Sequence, residues 1–164
     1  MKCVIDTSAI SWMQEVGHLD LLPRIYETLY APASVFKQLE GHEPTQPFMQ
    51  KHVQRIQLSK MDQRDFLQRV RRWQRKRPSK DITDLEVFLS YKFYTDADEA
   101  LYANKDAEER YSPFGKVRDI ARLYEHAEAR GIFSRQDSKD YLLSFLHHPR
   151  PYRTRYLKRL LKDL

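Results

Sequence analysis

The segment from Lys2 to Ser8 constrains this chain most, because it has the pattern of a buried strand that ends in a carboxylate. Its centre is the apolar run Cys3-Val4-Ile5, and an unbroken run is typical of a strand covered on both faces, as in a parallel sheet. Open α/β sheets bind ligands just beyond the carboxyl ends of such strands. Asp6 is therefore a candidate site residue. The alternative is that Asp6 caps a following helix, since Asp, Thr and Ser all accept hydrogen bonds at helix starts.

Strand and helix patterns alternate along the rest of the chain. After the first strand, we expect strands at Thr28–Ala31, Val53–Leu58 and Ala100–Ala103, each followed by a helical pattern. One such helical stripe extends from Val117 to Ala127. Right-handed crossovers between parallel strands gather the strand ends along one edge. The sequence therefore predicts a single α/β domain over residues 1–164, with C-terminal helices over about residues 136–164.

Composition favours an anionic partner. The 164 residues include 29 Lys and Arg against 23 Asp and Glu, a formal charge of +6, and nucleic acid is the natural counterpart of such a chain. A single cysteine cannot form an internal disulfide, and no Cys/His cluster has zinc-ligand spacing. The chain also lacks a charged-then-apolar leader and a long apolar stretch. We therefore expect a cytoplasmic protein with no membrane partner.

A strongly basic segment covers residues 61–77. Its apolar residues Phe66, Val70 and Trp73 share one helical stripe, and cations occupy most of the remaining surface. Clustered cations of this kind are the electrostatic footprint of nucleic-acid binding, although most such runs are solvated helix faces. The candidate RNA contacts are Arg71, Arg72, Arg75 and Lys76.

Four acids could meet at the edge of the sheet: Asp6, Glu40 after the second helical unit, Asp84 at a helix start, and Asp106 after the last predicted strand. Crowded carboxylates take up protons or cations, and hard divalent ions prefer oxygen ligands. Mg²⁺ or Mn²⁺ would fit, and could support in-line attack by water at phosphorus. Asp84 also has a structural explanation, because Thr83 and Glu86 have capping-box spacing and the helix dipole favours an acid in the first turn.

The order of several motifs resembles the PIN-domain ribonucleases, and more loosely the VapC-like toxins among them. The matching segments are Val4–Ser8, Tyr30–Glu40, Ile82–Glu86, Leu101–Asp106 and Gly115–Ile132. Together they span nearly the whole chain. The resemblance implies a three-layer α/β/α fold with a mainly parallel central sheet.

The resemblance also implies a metal-dependent endoribonuclease. Its catalytic acids would be Asp6, Glu40, Asp84 and Asp106, and Asp6, Asp84 and Asp106 would be the metal ligands. Ser8 would orient Asp6 through its hydroxyl group. Asn104 stands where many members have an acid, and could offer a neutral oxygen or an amide contact to the metal's water. Family members are commonly homodimers, and the role could be that of a toxin with a small protein antitoxin or of an RNA-processing enzyme.

Two other functions stay open. The departure at Asn104 permits a catalytically weak or inactive PIN-like module that binds RNA or a protein. A small-molecule enzyme with a nucleotide pocket is disfavoured, since the chain has only four glycines and no glycine-rich phosphate loop. For the fourth acid, Asp96 and Asp98 compete with Asp106. We favour Asp106, because a strand at Ala100–Ala103 leaves the preceding helix intact.

Overall fold

A computed structural model describes residues 1–164 and contains one sheet of five parallel strands. The strands are β1 (Lys2–Ile5), β2 (Thr28–Ala31), β3 (Val53–Arg55), β4 (Glu99–Tyr102) and β5 (Val117–Asp119). Their order across the sheet is β3-β2-β1-β4-β5, and every neighbouring pair is parallel. The predicted α/β fold with a parallel central sheet is therefore confirmed.

Ten α-helices surround and extend this sheet. They are α1 (Thr7–Glu15), α2 (Leu22–Ile25), α3 (Ala33–Gln38), α4 (Gln46–His52), α5 (Lys60–Lys76), α6 (Ile82–Phe93), α7 (Lys105–Tyr111), α8 (Leu123–Ala129), α9 (Arg135–Leu146) and α10 (Thr154–Asp163). None of them combines the length and the apolar character that a membrane-spanning helix requires.

The central strand is covered on both faces, as its unbroken apolar run predicts. Cys3, Val4 and Ile5 are fully buried and belong to a continuous core of 38 residues. Burying an aliphatic side chain of this size contributes roughly 1.5–3 kcal/mol. Helices α1 and α6 both start near the carboxyl end of β1, so this strand fixes where the first residues of the two helices lie.

The predicted helix from Val117 to Ala127 is wrong in its first part. Residues Val117–Asp119 form the edge strand β5, which pairs with β4 and places Asp119 opposite Tyr102. The spacing of Val117 and Ile120 suits a helical stripe. The backbone of this short segment pairs with the neighbouring strand β4 instead of forming helical hydrogen bonds. The third predicted strand is also shorter than expected, since β3 ends at Arg55.

The basic helix and the C-terminal helices form where the sequence predicts them. Helix α5 covers residues 60–76, and its Val70 is buried while Phe66 and Trp73 pack against the core. Helix α10 packs on α9, and its Leu157 is fully buried. The apolar face of the last helix is thus covered by its own chain.

Candidate active site

The candidate site lies at the point in the sheet where the strand order reverses direction. From β1 the chain continues to β2 and β3 on one side, and then crosses to β4 and β5 on the other. In open parallel sheets, a crevice forms beyond the carboxyl ends of the two strands that flank such a reversal. Asp6 follows β1, and its backbone N–H donates to the Leu101 carbonyl of β4 at 3.0 Å. Asp6 therefore lies in this crevice, beside the residues that follow β4.

Asp6 is buried and held in a fixed orientation. It is 2 % exposed, and its Oδ2 accepts hydrogen bonds from the Ser8 hydroxyl at 2.5 Å and the Ser8 backbone N–H at 3.2 Å. The Ser8 oxygen in turn accepts from the Ala103 N–H after β4, at 3.2 Å. Asp6 is also the N-cap of α1. Asp6 can therefore be both a helix cap and a site residue, since one of its carboxyl oxygens caps α1 and the carboxyl group still faces the crevice.

Asp84 lies beside Asp6 and comes from the first turn of α6. Its carboxyl group is close enough for the charge of Asp6 to raise its pKa, and its Oδ2 accepts from Asn104 Nδ2 at 2.8 Å. The N-cap of α6 is Asp81, whose Oδ1 accepts from the Thr83 N–H at 2.9 Å. The predicted capping box that begins at Thr83 is therefore wrong, because the helix starts one residue before Thr83.

The electrostatics of Asp6 and Asp84, called the acid pair below, favour a bound proton in the absence of a cation. Burial raises the pKa of Asp84 to about 8, and the charges of Asp6 and Asp81 add to this effect. Burial also raises the pKa of Asp6, although the Ser8 hydrogen bonds act in the opposite direction. The Arg110 guanidinium opposes the rise at Asp84. Near neutral pH the acid pair therefore holds a proton that a cation could replace.

The other predicted acids do not join the acid pair. Glu40 is exposed and lies two residues beyond the end of α3, and Asp106 is exposed in the first turn of α7. The competing residues Asp96 and Asp98 are bonded to Lys2, at the amino end of β1 and away from the crevice. No three acidic, histidine or cysteine side chains lie close enough to share one metal ion. The expected cluster of four carboxylates is therefore corrected to a pair.

Amide groups occupy the places where the sequence predicted acids. Gln38 in α3 donates to the Thr83 hydroxyl at 3.0 Å and accepts from the Thr7 hydroxyl, so it links the starts of α1 and α6. Gln38 was not among the predicted site residues, although it lies three residues after the buried Val35 on the same helical face. The predicted residue Glu40 follows two positions later.

Asn104 has a different role from the one expected. Its Oδ1 caps α7 by accepting from the N–H groups of Asp106 and Ala107, at 3.0 and 3.4 Å. That oxygen is thus already used, and the amide Nδ2 holds Asp84. Asn104 is a positioning residue for Asp84, and its oxygen is not directed at a metal. Asp106 contributes only its backbone to this arrangement.

The acid pair fits a hard divalent cation. Mg²⁺ is commonly bound through one or two carboxylates, with water and substrate phosphate as its other ligands. Asp6 and Asp84 supply two such carboxylates, and a cation would relieve the repulsion that raises their pKa values. Ser8 and Asn104 each hold Oδ2 of one of these carboxyl groups, so both side chains are already oriented.

A basic groove lies between α5 and the start of α6. It has a volume of about 630 Å³ and is lined by Arg71, Arg72 and Arg75 of α5, with Val70 and Ile82 as its apolar part. Ile82 is only two residues before Asp84. The three arginines are exposed and make no ion pair, and neither does Lys76, which lies outside the lining. The groove, called the α5 groove below, therefore carries uncompensated positive charge.

Together the fold and site define a parallel α/β protein with two paired carboxylates at the point where its strand order reverses. No family model matches the chain, and comparisons with curated proteins and with solved structures also give no match.

Proposed function

We propose that this protein is a Mg²⁺- or Mn²⁺-dependent endoribonuclease with a PIN-like arrangement of its active site. The observation that carries the proposal is the buried acid pair at the carboxyl ends of β1 and β4, with the pKa of Asp84 raised to about 8. Strongly perturbed carboxyl groups in a crevice are typical of functional sites. A purely structural role would be better served by one ionised cap than by two acids in contact.

In this proposal, Asp6 and Asp84 hold the cation. When bound, a divalent ion acidifies water and neutralises charge at a phosphodiester. Ser8 and Asn104 keep the two carboxyl groups in place, so that little reorganisation is needed when RNA binds. Arg110, whose charge already acts on Asp84, would stabilise the negative charge that develops at phosphorus.

RNA is the proposed substrate because the α5 groove offers unpaired cations on the helix that packs against α6, which carries Asp84. Arg71, Arg72 and Arg75 would contact phosphates, and Lys76 would add to the surrounding potential. The apolar part of the groove, Val70 and Ile82, suits the less polar faces of nucleotides. A small protein antitoxin and a homodimer stay predictions.

A second candidate function is a PIN-like module that binds RNA or a protein without efficient turnover. Its support is that only two acids meet, while Gln38 and Asn104 bring amides to the crevice. Fewer ligand charges give a weaker metal site. Under this alternative the protein binds RNA through the same groove, but cleavage does not depend on the acid pair.

The test compares Asp6→Asn with Asp106→Asn, in protein free of contaminating nucleases. We expect Asp6→Asn to reduce Mn²⁺-dependent cleavage of single-stranded RNA by more than roughly 100-fold, since even the partners that orient metal ligands are worth 10- to 100-fold. Calorimetry should show a matching loss of Mn²⁺ affinity. Asp106→Asn makes the same chemical change at an exposed site and should behave like the parent protein.

Two results would favour the alternative. RNA binding without detectable cleavage by the parent would identify a binding module. Equal cleavage by the parent and by Asp6→Asn would remove the acid pair from the reaction altogether.

A further inference from the structure

A second basic cavity lies at the start of α10. Its volume is about 560 Å³, and four cations line it, Lys105, Arg153, Arg155 and Arg159, together with Tyr156 and the single acid Glu109. Its cations come from two separate helices and from the residue before α10. The sequence gives no local signal for this cavity, because its cations are dispersed between residues 105 and 159.

The charge in this cavity is only partly compensated within the protein. Arg153 is paired with Asp119 at 2.8 Å and with Glu108, and Lys105 lies 3.6 Å from Glu109. Arg155 and Arg159 are exposed and have no acidic partner. The first turn of α10 contains no acidic residue either. Two guanidinium groups are therefore free to pair with anions from solution.

One wall of the cavity is rigid. Asp119 is buried, and its carboxylate accepts hydrogen bonds from the Tyr152 hydroxyl and from Arg153, all at 2.8 Å. The Arg153 guanidinium also lies 4.0 Å from the centre of the Tyr156 ring. These contacts hold the start of α10 against the end of β5, so Arg155 and Arg159 project from a fixed support.

Helix α7 connects the cavity to the acid pair. Lys105 directly follows Asn104, whose amide donates to Asp84 at 2.8 Å. The α5 groove is lined on its other side by Ile82, at the start of the helix that carries Asp84. Helices α7 and α6 thus connect the two basic surfaces to the residues around Asp84.

We propose that this second cavity binds phosphate groups of the same single-stranded RNA, through Arg155 and Arg159. The inference rests on the proposed function for the identity of the ligand, and it adds a second stretch of contacts to the substrate path. Arginine suits this role because its planar guanidinium donates two parallel hydrogen bonds to a phosphate. RNA is favoured over an acidic protein because α7, which supplies Lys105 to the cavity, is capped by the same Asn104 that holds Asp84.

The experiment uses the double variant Arg155→Gln/Arg159→Gln and a matched control, Lys158→Gln/Lys162→Gln. Both pairs are exposed, have the same spacing on α10 and remove two charges, but the lysines do not line the cavity. Binding of a fluorescently labelled polyuridine strand is measured by anisotropy over a salt series, with EDTA present so that no cleavage occurs. Circular dichroism checks that each variant is folded.

We expect the arginine variant to flatten the plot of log affinity against log salt by about 1.4, because each phosphate contact to a single strand contributes about 0.7. Near 0.1 M salt this corresponds to roughly 20-fold weaker binding. The lysine variant should change the slope by much less. Equal slopes for the two variants would overturn the proposal, as expected if the cavity accepts an acidic protein or only general counterions.

The binding measurement does not depend on whether the protein cleaves RNA. If the slopes differ as expected but the parent protein cleaves no RNA with Mn²⁺, the proposed nuclease function fails and the phosphate site stands. If the parent cleaves RNA while both variants bind it alike, the nuclease function stands and the phosphate site is refuted.

Discussion

The substitution Asp84→Asn should change how protein stability depends on pH. Burial, followed by the charge of Asp6, raises the pKa of Asp84 from an ordinary 3.8 to about 8. Between these values the folded protein keeps a proton that the unfolded chain has released. The free energy of unfolding therefore falls as pH rises through this window. Asparagine has nearly the same shape, can still accept from Asn104, and can donate to Asp6, but it does not titrate.

The size of the effect follows from the width of the window. Each pH unit corresponds to about 1.4 kcal/mol, so between about pH 5 and pH 7.5 the parent could lose at most roughly 3 kcal/mol. The charge of exposed Asp81 is a smaller contribution than burial and Asp6 and is screened by water. We take about half of that limit as the expected effect. A difference of about 1.5 kcal/mol corresponds to roughly 3–6 °C in Tm for a chain of this length.

The assay is thermal and urea unfolding, followed by circular dichroism in EDTA, at several pH values across the window. Relative to the parent, Asp84→Asn should gain stability steadily as pH increases. Asp106→Asn is the control, because it makes the same change in an exposed residue outside the acid pair, and its profile should run parallel to that of the parent. A constant difference between Asp84→Asn and the parent at every pH would refute the argument that Asp84 holds a proton.

Addition of Mn²⁺ provides a second arm of the same experiment. At about 100 times its Kd, a ligand that binds only the folded state stabilises it by about 2.7 kcal/mol. The parent should gain this stabilisation near pH 8, where the proton is most easily displaced, and should gain less near pH 6. Asp84→Asn should gain little at either pH. Equal stabilisation of both proteins would place the bound metal away from the acid pair.

Two further predictions concern the surroundings of the site. Replacement of Arg71, Arg72, Arg75 and Lys76 by Gln should flatten the salt dependence of RNA binding by about 0.7 for each phosphate that the helix no longer neutralises, and an unchanged slope would assign α5 a different role. Gly115→Ala should destabilise the fold by about 1–3 kcal/mol in urea unfolding, because its Cβ would lie 2.8 Å from the Tyr91 ring and 3.3 Å from the Phe88 ring. A destabilisation below about 0.5 kcal/mol would mean that these rings move aside easily.

The elements with strong local signals could be predicted from the sequence. The run Cys3-Val4-Ile5 determined a strand buried on both faces, and the stripe of Phe66, Val70 and Trp73 determined α5. Run length and periodicity are properties of neighbouring residues, so they need no knowledge of distant contacts. The placement of Asp6 after β1 follows in the same way.

Only the tertiary structure decided which side chains meet. Gln38, and not Glu40, bonds to the residues that start α1 and α6 because α3 ends at Gln38, so Glu40 lies beyond the helix and outside its periodicity. β5 exists because β4 offers it a partner. Asp106 faces solvent because Asn104 caps α7. These outcomes depend on contacts between segments far apart in the sequence, and for that reason four candidate acids became a single pair.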